Sequence, residues 1–324
     1  MGKILVTGGC GYIGSHIVKM LSEKGEKVVI FDNLSQGSKS ALLHDEELVV
    51  GDICDPVALK NLFASHDISA VIHIAALVNA RESVEKPDLY KQVNDQGSRN
   101  VWHAAIEAGV KILLYSSSAA VYGTPDSRDP IKESAPFNPS NPYGATKLAG
   151  ETHLRELAKD NATYVIFRFF NVGGAEKEGR LGQSKGSRAI MQRLFAVAAG
   201  DEDKITISGH DYDTADGTVV RDFIHVEDIA FAFVLGLEYL RQGKESIVLN
   251  LGSGESHTIG EVIKEVEIVT GKSIPLEYAP RVPGDISYSL SDIHLAQKVL
   301  GWEPANTLRL IVRDGWNSYV KRNA

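Results

Sequence analysis

Short apolar runs rich in β-branched residues alternate with longer amphipathic stretches through the first half of the chain. The apolar runs predict strands at Lys3–Thr7, Lys27–Phe31, Leu48–Val50, Ala70–Ile74, Lys111–Ser116 and Thr163–Phe170. The amphipathic stretches predict helices at Tyr12–Lys24, Pro56–Ser65, Pro87–Ala108 and Tyr143–Asp160. Apolar strands that alternate with helices are typical of an α/β fold with a doubly wound parallel sheet, whose ligand lies outside the carboxyl ends of the strands.

The pattern changes after Phe170. Residues 171–187 are rich in Gly, Glu and Lys and predict a long functional loop. The stretch Arg221–Asp228, an apolar helix at Ile229–Tyr239 and a strand at Ile247–Leu251 then predict a return to the main sheet. We therefore expect a larger domain formed by residues 1–170 and about 219–251, and a smaller C-terminal lobe formed by about 171–218 and 252–324.

The charge balance disfavours several classes of partner. Of the 324 residues, 34 are Lys or Arg and 42 are Asp or Glu, so the net charge is −8. Nucleic acids and anionic membranes need a basic surface, and we expect neither as a partner. Two cysteines, Cys10 and Cys54, form no metal-ligand cluster, so no metal site is expected. The apolar runs are too short to span a bilayer and no signal segment precedes the first strand, which favours a cytoplasmic protein.

A glycine-rich loop follows the first predicted strand and leads into a helix. It reads Thr7-Gly8-Gly9-Cys10-Gly11-Tyr12-Ile13-Gly14. The three spaced glycines have separate uses: Gly8 permits a tight turn, Gly11 lets the backbone approach a pyrophosphate, and Gly14 allows close packing of helix on strand. The backbone N–H groups at the start of the helix, at Tyr12 and Ile13, then face the anion. The loop predicts a Rossmann-type dinucleotide site.

The next two predicted strands end in acidic residues. Asp32 lies eighteen residues beyond Gly14, where a carboxylate binds the ribose hydroxyls. The same carboxylate would repel a 2′-phosphate, so we expect NAD rather than NADP. We also expect the neighbouring Asn33 to bind the cofactor. Asp52 and Ile53 are placed to border the adenine. An ordinary polar strand end is the alternative explanation of Asp52.

Three residues form a candidate catalytic group. Ser118 follows a predicted strand, and Tyr143 comes 25 residues later at the start of a predicted helix. Positions i and i+4 of a helix share a face, so Tyr143 and Lys147 point the same way. An ammonium beside a phenol lowers the phenol's pKa, which makes Tyr143 a general base near neutral pH. The Tyr–Lys spacing alone also fits an ordinary amphipathic helix. Because this spacing occurs together with the glycine loop and Ser118, we predict that Ser118, Tyr143 and Lys147 are catalytic residues.

Together these residues resemble the extended short-chain dehydrogenase/reductases over almost the whole chain. The segment His73-Ile74-Ala75-Ala76 is similar to that family's strand end beside the cofactor, which implies cofactor contacts from Ala75 and Ala76. Residues 211–226 (DYDTADGTVVRDFIHV) are close to the hallmark stretch of UDP-glucose 4-epimerases. The runs Arg168-Phe169-Phe170-Asn171 and Gly284-Asp285 match the same pattern.

The resemblance implies NAD-dependent 4-epimerisation of UDP-hexoses through a transient 4-keto intermediate. UDP-glucose and UDP-galactose are the expected substrates, and UDP-GlcNAc and UDP-GalNAc are a further expectation. In the implied site Phe170 lies beside the cofactor, Ser118 and Tyr143 contact the sugar, and Asn171, Arg221, Asp285 and Ser289 bind the substrate, Arg221 at the diphosphate. Ser289 stands where a Tyr would narrow the pocket near the sugar C2 substituent. The helices Pro87–Ala108 and Tyr143–Asp160 would pair across a homodimer.

Two alternatives share most of these residues. One is a 4-epimerase of another nucleotide sugar, such as UDP-glucuronate, because Val282, Ala189 and Val78 depart from the usual epimerase pattern. The other is a catalytically inactive NAD-binding regulator, which would typically lack the Tyr–Lys pair. Ala119 and Ala120 stand where the family's 4,6-dehydratases carry acidic residues, so a dehydratase is disfavoured.

Overall fold

The structure, a computed structural model, describes residues 2–125, 127–282 and 286–322. Its strands are β1 Lys3–Thr7, β2 Val28–Asp32, β3 Glu47–Val50, β4 Ile68–His73, β5 Ile112–Ser118, β6 Thr163–Phe169, β7 Asn171–Gly173, β8 Ile205–Ser208, β9 Val220–Arg221, β10 Phe223–His225, β11 Ile247–Leu251, β12 His257–Thr258, β13 Leu276–Ala279 and β14 Tyr288–Ser289. Its helices are α1 Tyr12–Glu23, α2 Pro56–Ser65, α3 Ala80–Glu85, α4 Pro87–Tyr90, α5 Gly97–Glu107, α6 Pro142–Ala158, α7 Ile190–Ala199, α8 Val226–Arg241, α9 Ile259–Thr270, α10 His294–Leu300 and α11 Leu308–Lys321.

The main sheet has seven strands in the order β11-β6-β5-β4-β1-β2-β3. Every neighbouring pair from β3 to β6 is parallel. The order reverses between β1 and β4, as in a doubly wound dinucleotide fold, and the ligand crevice of such folds lies at this reversal. The predicted Rossmann-type sheet is confirmed.

Burial and helix capping explain why these residues form the sheet and its cover. All five residues of β2 are buried, which is typical of a strand covered on both faces. Asp55 caps the start of α2 by accepting two backbone N–H groups, and Asn141 caps the start of α6 by accepting one. Trp102 of α5 and Phe31 of β2 lie in one apolar core.

The chain divides into two units. The first comprises Met1–Gly123, Pro136–Phe169 and Ala230–Leu249, and the second comprises Thr124–Ala135, Phe170–Ile229 and Asn250–Ala324. The second unit has its own apolar core, to which α7, α9 and α11 contribute. Residues 219–229, which the sequence pattern assigned to the larger domain, lie in the second unit, because β9 pairs with β12 and β14 and β10 pairs with β7.

Two further predictions differ from the structure. The stretch 171–187 is not loop throughout, since Asn171–Gly173 pairs with Phe223–His225 as a short parallel strand. The predicted helix Pro87–Ala108 is interrupted at Lys91–Gln96, where one π-helical segment joins α4 to α5. π segments are rare and often mark functional sites. Among the described residues, no helix is both long enough and apolar enough to cross a membrane.

Candidate active site

The glycine loop has the geometry of an anion site at a helix start. Gly8 has φ +71°, in the left-handed region, and a Cβ on Gly14 would lie 2.1 Å from the Gly8 carbonyl oxygen. Both positions therefore require glycine. Gly11 is the N-cap of α1, no side chain caps that helix, and its first turn carries no acidic residue. The backbone N–H groups of Tyr12 and Ile13 thus begin a helix that favours an anion at this end.

Asp32 links the glycine loop to the end of β2. It is 7% exposed, and its carboxylate accepts the Cys10 N–H at 3.0 Å and the Leu34 N–H at 2.8 Å. The second bond supports a turn in which Leu34 has a φ of 59°. Each carboxylate oxygen can still accept one more hydrogen bond, which fits the ribose hydroxyls of a dinucleotide.

The end of β3 lies beside the turn that follows β2. Asn33 donates from Nδ2 to Asp52 at 3.0 Å, and the Cys54 N–H donates to the other Asp52 oxygen at 2.8 Å. Burial disfavours the Asp52 charge, but the bonds from Cys54 and Asn33 outweigh it and hold the pKa of Asp52 below its ordinary value. Ile53 belongs to the apolar core, and its carbonyl accepts from Asn100 at 3.1 Å.

A buried polar chain, which the sequence reasoning missed, lies beneath the loop that follows β4. His73 is fully buried and bonds Thr7 Oγ1 at 2.6 Å and Ser98 Oγ at 2.9 Å. Burial, with a smaller effect of the Lys147 charge, lowers the pKa of His73 to about 3, so the imidazole is neutral. The half-buried Ala75 and Ala76 follow, and the Ala75 N–H bonds the Thr7 carbonyl at 3.1 Å. In the sequence, His73 is visible only as a single polar residue within the apolar run that predicts this strand.

Asn94, in the π-helical segment, is a second buried residue that sequence reasoning missed. Its side chain accepts the Leu77 N–H at 2.8 Å, donates to the Leu77 carbonyl at 2.9 Å, and donates to Thr146 Oγ1 at 3.3 Å. These bonds fix the loop after β4 against the first turns of α6. The catalytic candidates of α6 are therefore positioned from the β4 side as well as from β5.

Ser118 and Tyr143 are brought together. Ser118 ends β5 and its Oγ accepts the Ala120 N–H at 3.2 Å. Tyr143 lies in the first turn of α6, and its N–H donates to Ser83 Oγ at 3.1 Å. Burial raises the pKa of the Tyr143 hydroxyl, and a hydrogen bond with the Ser118 side chain opposes this rise. Tyr143 keeps part of its surface accessible, so a ligand can reach it.

Lys147 lies one turn after Tyr143, as the i, i+4 spacing predicts. It is 3% exposed; its Nζ donates to the Ser116 carbonyl at 2.8 Å and lies 5.2 Å from the centre of the Tyr115 ring. Burial lowers the pKa of Lys147 to about 7, against the opposing charge of Glu151. The sequence predicts that this ammonium lowers the pKa of Tyr143. In the structure the pKa of Tyr143 is raised instead, because burial has the larger effect.

The second unit holds the residues expected to bind the substrate. The Asn171 N–H and Nδ2 both donate to the Asp222 carbonyl, at 3.0 and 3.2 Å. Arg221 precedes Asp222, is partly exposed, and donates from Nη1 to the Val220 carbonyl at 2.9 Å. Phe170 is 6% exposed. Asn171, at the start of β7, is thus bonded to the Arg221–Asp222 segment that joins β9 to β10.

Ser289 lies beside Arg221. In the three-stranded sheet β12-β9-β14, Ser289 is the register partner of Arg221, and Tyr288 is the partner of the buried Val220. Register partners share a face of a sheet and successive residues alternate. Ser289 therefore lies on the partly exposed face of Arg221, and Tyr288 lies on the opposite face. Asp285 lies outside the described residues.

The chemistry of the first unit fits a dinucleotide. A helix start that no side chain caps suits a pyrophosphate, the glycines leave no Cβ in its way, and Asp32 offers acceptors that suit ribose hydroxyls. Ser118, Tyr143 and Lys147 supply a hydroxyl pair and a buried cation. Within the described part of the chain, no cluster of His, Cys, Asp and Glu could hold a metal ion.

Comparison with known proteins gives one consistent result. The model of the NAD dependent epimerase/dehydratase family matches residues 4–252. A UDP-glucose 4-epimerase of Halalkalibacterium halodurans is 42% identical over 97% of this chain and 94% of its own. The structure of a UDP-glucose 4-epimerase from Stenotrophomonas maltophila, with bound NAD and formylated UDP-arabinopyranose, superposes with a TM-score of 0.95, at 38% identity over 100% of both chains. A UDP-Glc/GlcNAc 4-epimerase from Campylobacter jejuni superposes with a TM-score of 0.87, at 35% identity over 99% of this chain and 100% of that one.

Proposed function

Because the chain belongs to the NAD dependent epimerase/dehydratase family, we propose that it interconverts UDP-hexoses at C4, UDP-glucose with UDP-galactose, with NAD as its cofactor. The observation that carries the proposal is the hydrogen-bonded pair of Ser118 and Tyr143, in the same unit as Lys147 and the glycine loop. UDP-glucose 4-epimerases at about 40% identity over nearly the whole chain support the same activity.

Tyr143 is the proposed acid and base at the sugar 4-oxygen. Its Oη takes the proton of the 4-hydroxyl and later returns it, while Ser118 Oγ hydrogen-bonds the same oxygen. Bound NAD supplies a reversible hydride acceptor for the sugar C4 and a positive charge that favours the phenolate. Since burial raises the pKa of Tyr143, the phenol keeps its proton until positive charge lies nearby. Lys147, as an ammonium, contributes such charge from the same face of α6.

The main contacts of the proposed cofactor site are backbone groups and the carboxylate of Asp32. The start of α1, with Gly11, Tyr12 and Ile13, faces the pyrophosphate. Asp32 accepts from the adenosine ribose, and the same carboxylate disfavours the 2′-phosphate of NADP. The other residues assigned to this site are Gly8, Gly14, Asn33, Asp52, Ile53, Ala75, Ala76, Tyr143, Lys147 and Phe170.

The second unit is the proposed binding lobe for the UDP-sugar. Arg221 binds the diphosphate, because a guanidinium matches phosphate oxygens and its side chain lies on a partly exposed face. Asn171 and Asp285 are the other proposed contacts. Asp222 holds this part of the lobe in place, since its buried carboxylate accepts the Ser253 N–H at 2.6 Å and the Ser291 N–H at 3.1 Å.

The sugar pocket is proposed to accept N-acetylated hexoses as well. Ser289, on the Arg221 face, stands where a larger side chain would fill the space beside the sugar C2 substituent. Tyr288, the nearest aromatic residue in the strand, lies on the other face. The similarity to a UDP-Glc/GlcNAc 4-epimerase supports the wider range of substrates.

The remaining proposals concern assembly and location. We propose a cytoplasmic homodimer in which α5 and α6 of each copy pack together as a helical bundle. Exposed residues on both helices, such as Arg99 and Thr152, support a contact there. His153 of α6 bonds Asp95, in the π-helical segment just before α5, at 2.6 Å, which holds the start of α5 against α6 before any partner binds.

The proposal is tested by incubating the purified protein with UDP-galactose and, separately, with UDP-GalNAc. Formation of UDP-glucose and UDP-GlcNAc, resolved by chromatography, is the expected result. Tyr143→Phe, which keeps the fold and the bound NAD, should abolish both conversions. If the protein converts UDP-glucuronate in preference to both substrates, the result favours a UDP-glucuronate 4-epimerase instead.

A further inference from the structure

A buried carboxylate lies behind the candidate catalytic residues. Glu151 is 1% exposed. Its Oε1 accepts the Ser117 hydroxyl at 2.6 Å and Arg168 Nε at 2.8 Å. Its Oε2 accepts Arg168 Nη2 at 2.7 Å and Arg155 Nη2 at 3.3 Å. Burial disfavours the charge of Glu151, but its bonds to Arg168 and Ser117 outweigh burial and hold its pKa below the ordinary value. The carboxylate is therefore ionised at neutral pH.

Stability alone does not explain an ion pair at this place. Glu151 and Arg168 are each 1% exposed, and the cost of taking two charges out of water often cancels their attraction. An apolar pair of the same volume would serve the core as well. The contacts of Glu151 lie instead beside the candidate site, because Ser117 precedes Ser118 and Glu151 lies one helical turn after Lys147.

The carboxylate joins β5 and α6, which carry the candidate catalytic residues, to the neighbouring strand β6. Ser117 belongs to β5, Glu151 to α6 and Arg168 to β6. β5 ends in Ser118 and α6 begins with Tyr143, so a shift of β5 against α6 changes the distance between these two hydroxyls. A misplacement of about 1 Å between reacting groups can cost about 10²-fold in rate.

We propose that Glu151 is a positioning residue for the reaction, with two roles. Through Ser117 it holds the strand end that carries Ser118. Through its charge it keeps Lys147 an ammonium. The assignment rests on the roles proposed above for Ser118, Tyr143 and Lys147.

The second role follows from the surroundings of Lys147. On α6, Tyr143 lies one turn before Lys147 and Glu151 one turn after it. The Ser116 carbonyl and the Tyr115 ring contact it from β5, and the neutral imidazole of His73 interacts with it from β4. Burial lowers the pKa of Lys147 to about 7, and the Glu151 charge raises it. Without that charge the pKa falls further, so Lys147 loses its proton at a lower pH. An activity that needs the ammonium then fails at a lower pH as well.

The first test is Glu151→Gln in the holoenzyme. The amide keeps the shape of the side chain and removes its charge. We expect the alkaline limb of kcat against pH to move to lower pH, while Glu156→Gln, on an exposed position of the same helix, leaves the limb in place. An unmoved limb in a folded, NAD-loaded Glu151→Gln protein overturns the electrostatic role.

The second test leaves the ion pair intact, so it stands even if Glu151→Gln does not fold. Ser117→Ala removes only the hydroxyl, and we expect kcat to fall by up to about 10²-fold with the KM for UDP-galactose and the NAD content unchanged. Ser117→Thr, which restores a hydroxyl, should recover much of the loss. Wild-type kcat in Ser117→Ala, or a loss that Thr does not recover, overturns the positioning role. Tyr143→Phe is measured in parallel, because full activity there overturns the proposed catalytic roles themselves and this assignment with them.

Discussion

Asp32 has a structural and a binding role, and substitutions can separate the two. In Asp32→Ala the buried N–H group of Cys10 and the half-buried N–H group of Leu34 lose their acceptor. A buried donor left without a partner costs about 1–3 kcal/mol, and water can replace much of the bond at Leu34, so the free energy of unfolding should fall by roughly 1–4 kcal/mol. Asp32→Asn keeps one carbonyl oxygen but places an NH₂ group at the second donor, so it should lose about half as much. Both variants should bind NAD more weakly, because the negative acceptor for the ribose is gone.

Two measurements check these values. Chemical denaturation in the absence of added NAD gives the structural loss, and calorimetric titration with NAD and NADP gives the binding loss. The unmutated protein should prefer NAD over NADP, and Asp32→Asn should narrow that preference because it removes the charge that repels a 2′-phosphate. Equal affinity of the unmutated protein for both cofactors, or an Asp32→Ala protein as stable as the parent, would refute the reasoning.

Three further predictions follow from the site. Tyr143→Phe should lower kcat by at least about 10²–10⁴-fold with NAD content unchanged, and a variant that keeps half of the parent's kcat would exclude the proposed role. Ser289→Tyr should reduce turnover of UDP-GalNAc much more than that of UDP-galactose, whereas equal turnover of both would show that Ser289 is not the gate. Because the pKa of His73 is about 3 in the fold and 6.5 ordinarily, the unfolded chain binds an extra proton between these values. Stability should therefore be lost as pH falls from about 6.5 to 3, and a pH-independent difference in unfolding free energy between the parent and His73→Gln would contradict this.

The elements that could be predicted from the sequence are those with strong local patterns. The buried strands around Val29 and Leu113, and the Gly8–Gly14 loop, have signals within a few residues of each other. The π-helical segment at Lys91–Gln96 has no such signal, because its geometry depends on where Asn94 bonds Leu77 and Thr146. The strand Asn171–Gly173 is set by a partner strand some fifty residues away.

In the candidate site, too, only the local features could be predicted from the sequence. The spacing of Tyr143 and Lys147 is a local, helical signal, so the sequence predicts that they share a face. The partners of Glu151 are different, because Ser117 lies 34 residues before it and Arg168 lies 17 residues after it. Their convergence depends on the order of β5 and β6 in the sheet. The effect of burial on the pKa of Tyr143 also depends on the packed structure, and the sequence alone predicted the opposite direction.

The central claim is a redox-neutral epimerisation, and one measurement tests it most directly. The purified protein is incubated with UDP-galactose while absorbance at the NADH band and the nucleotide sugars are followed together. We predict that UDP-glucose accumulates to equilibrium without stoichiometric NADH, because the hydride returns to the same carbon. NADH that accumulates in step with product would show a net dehydrogenase and contradict the account.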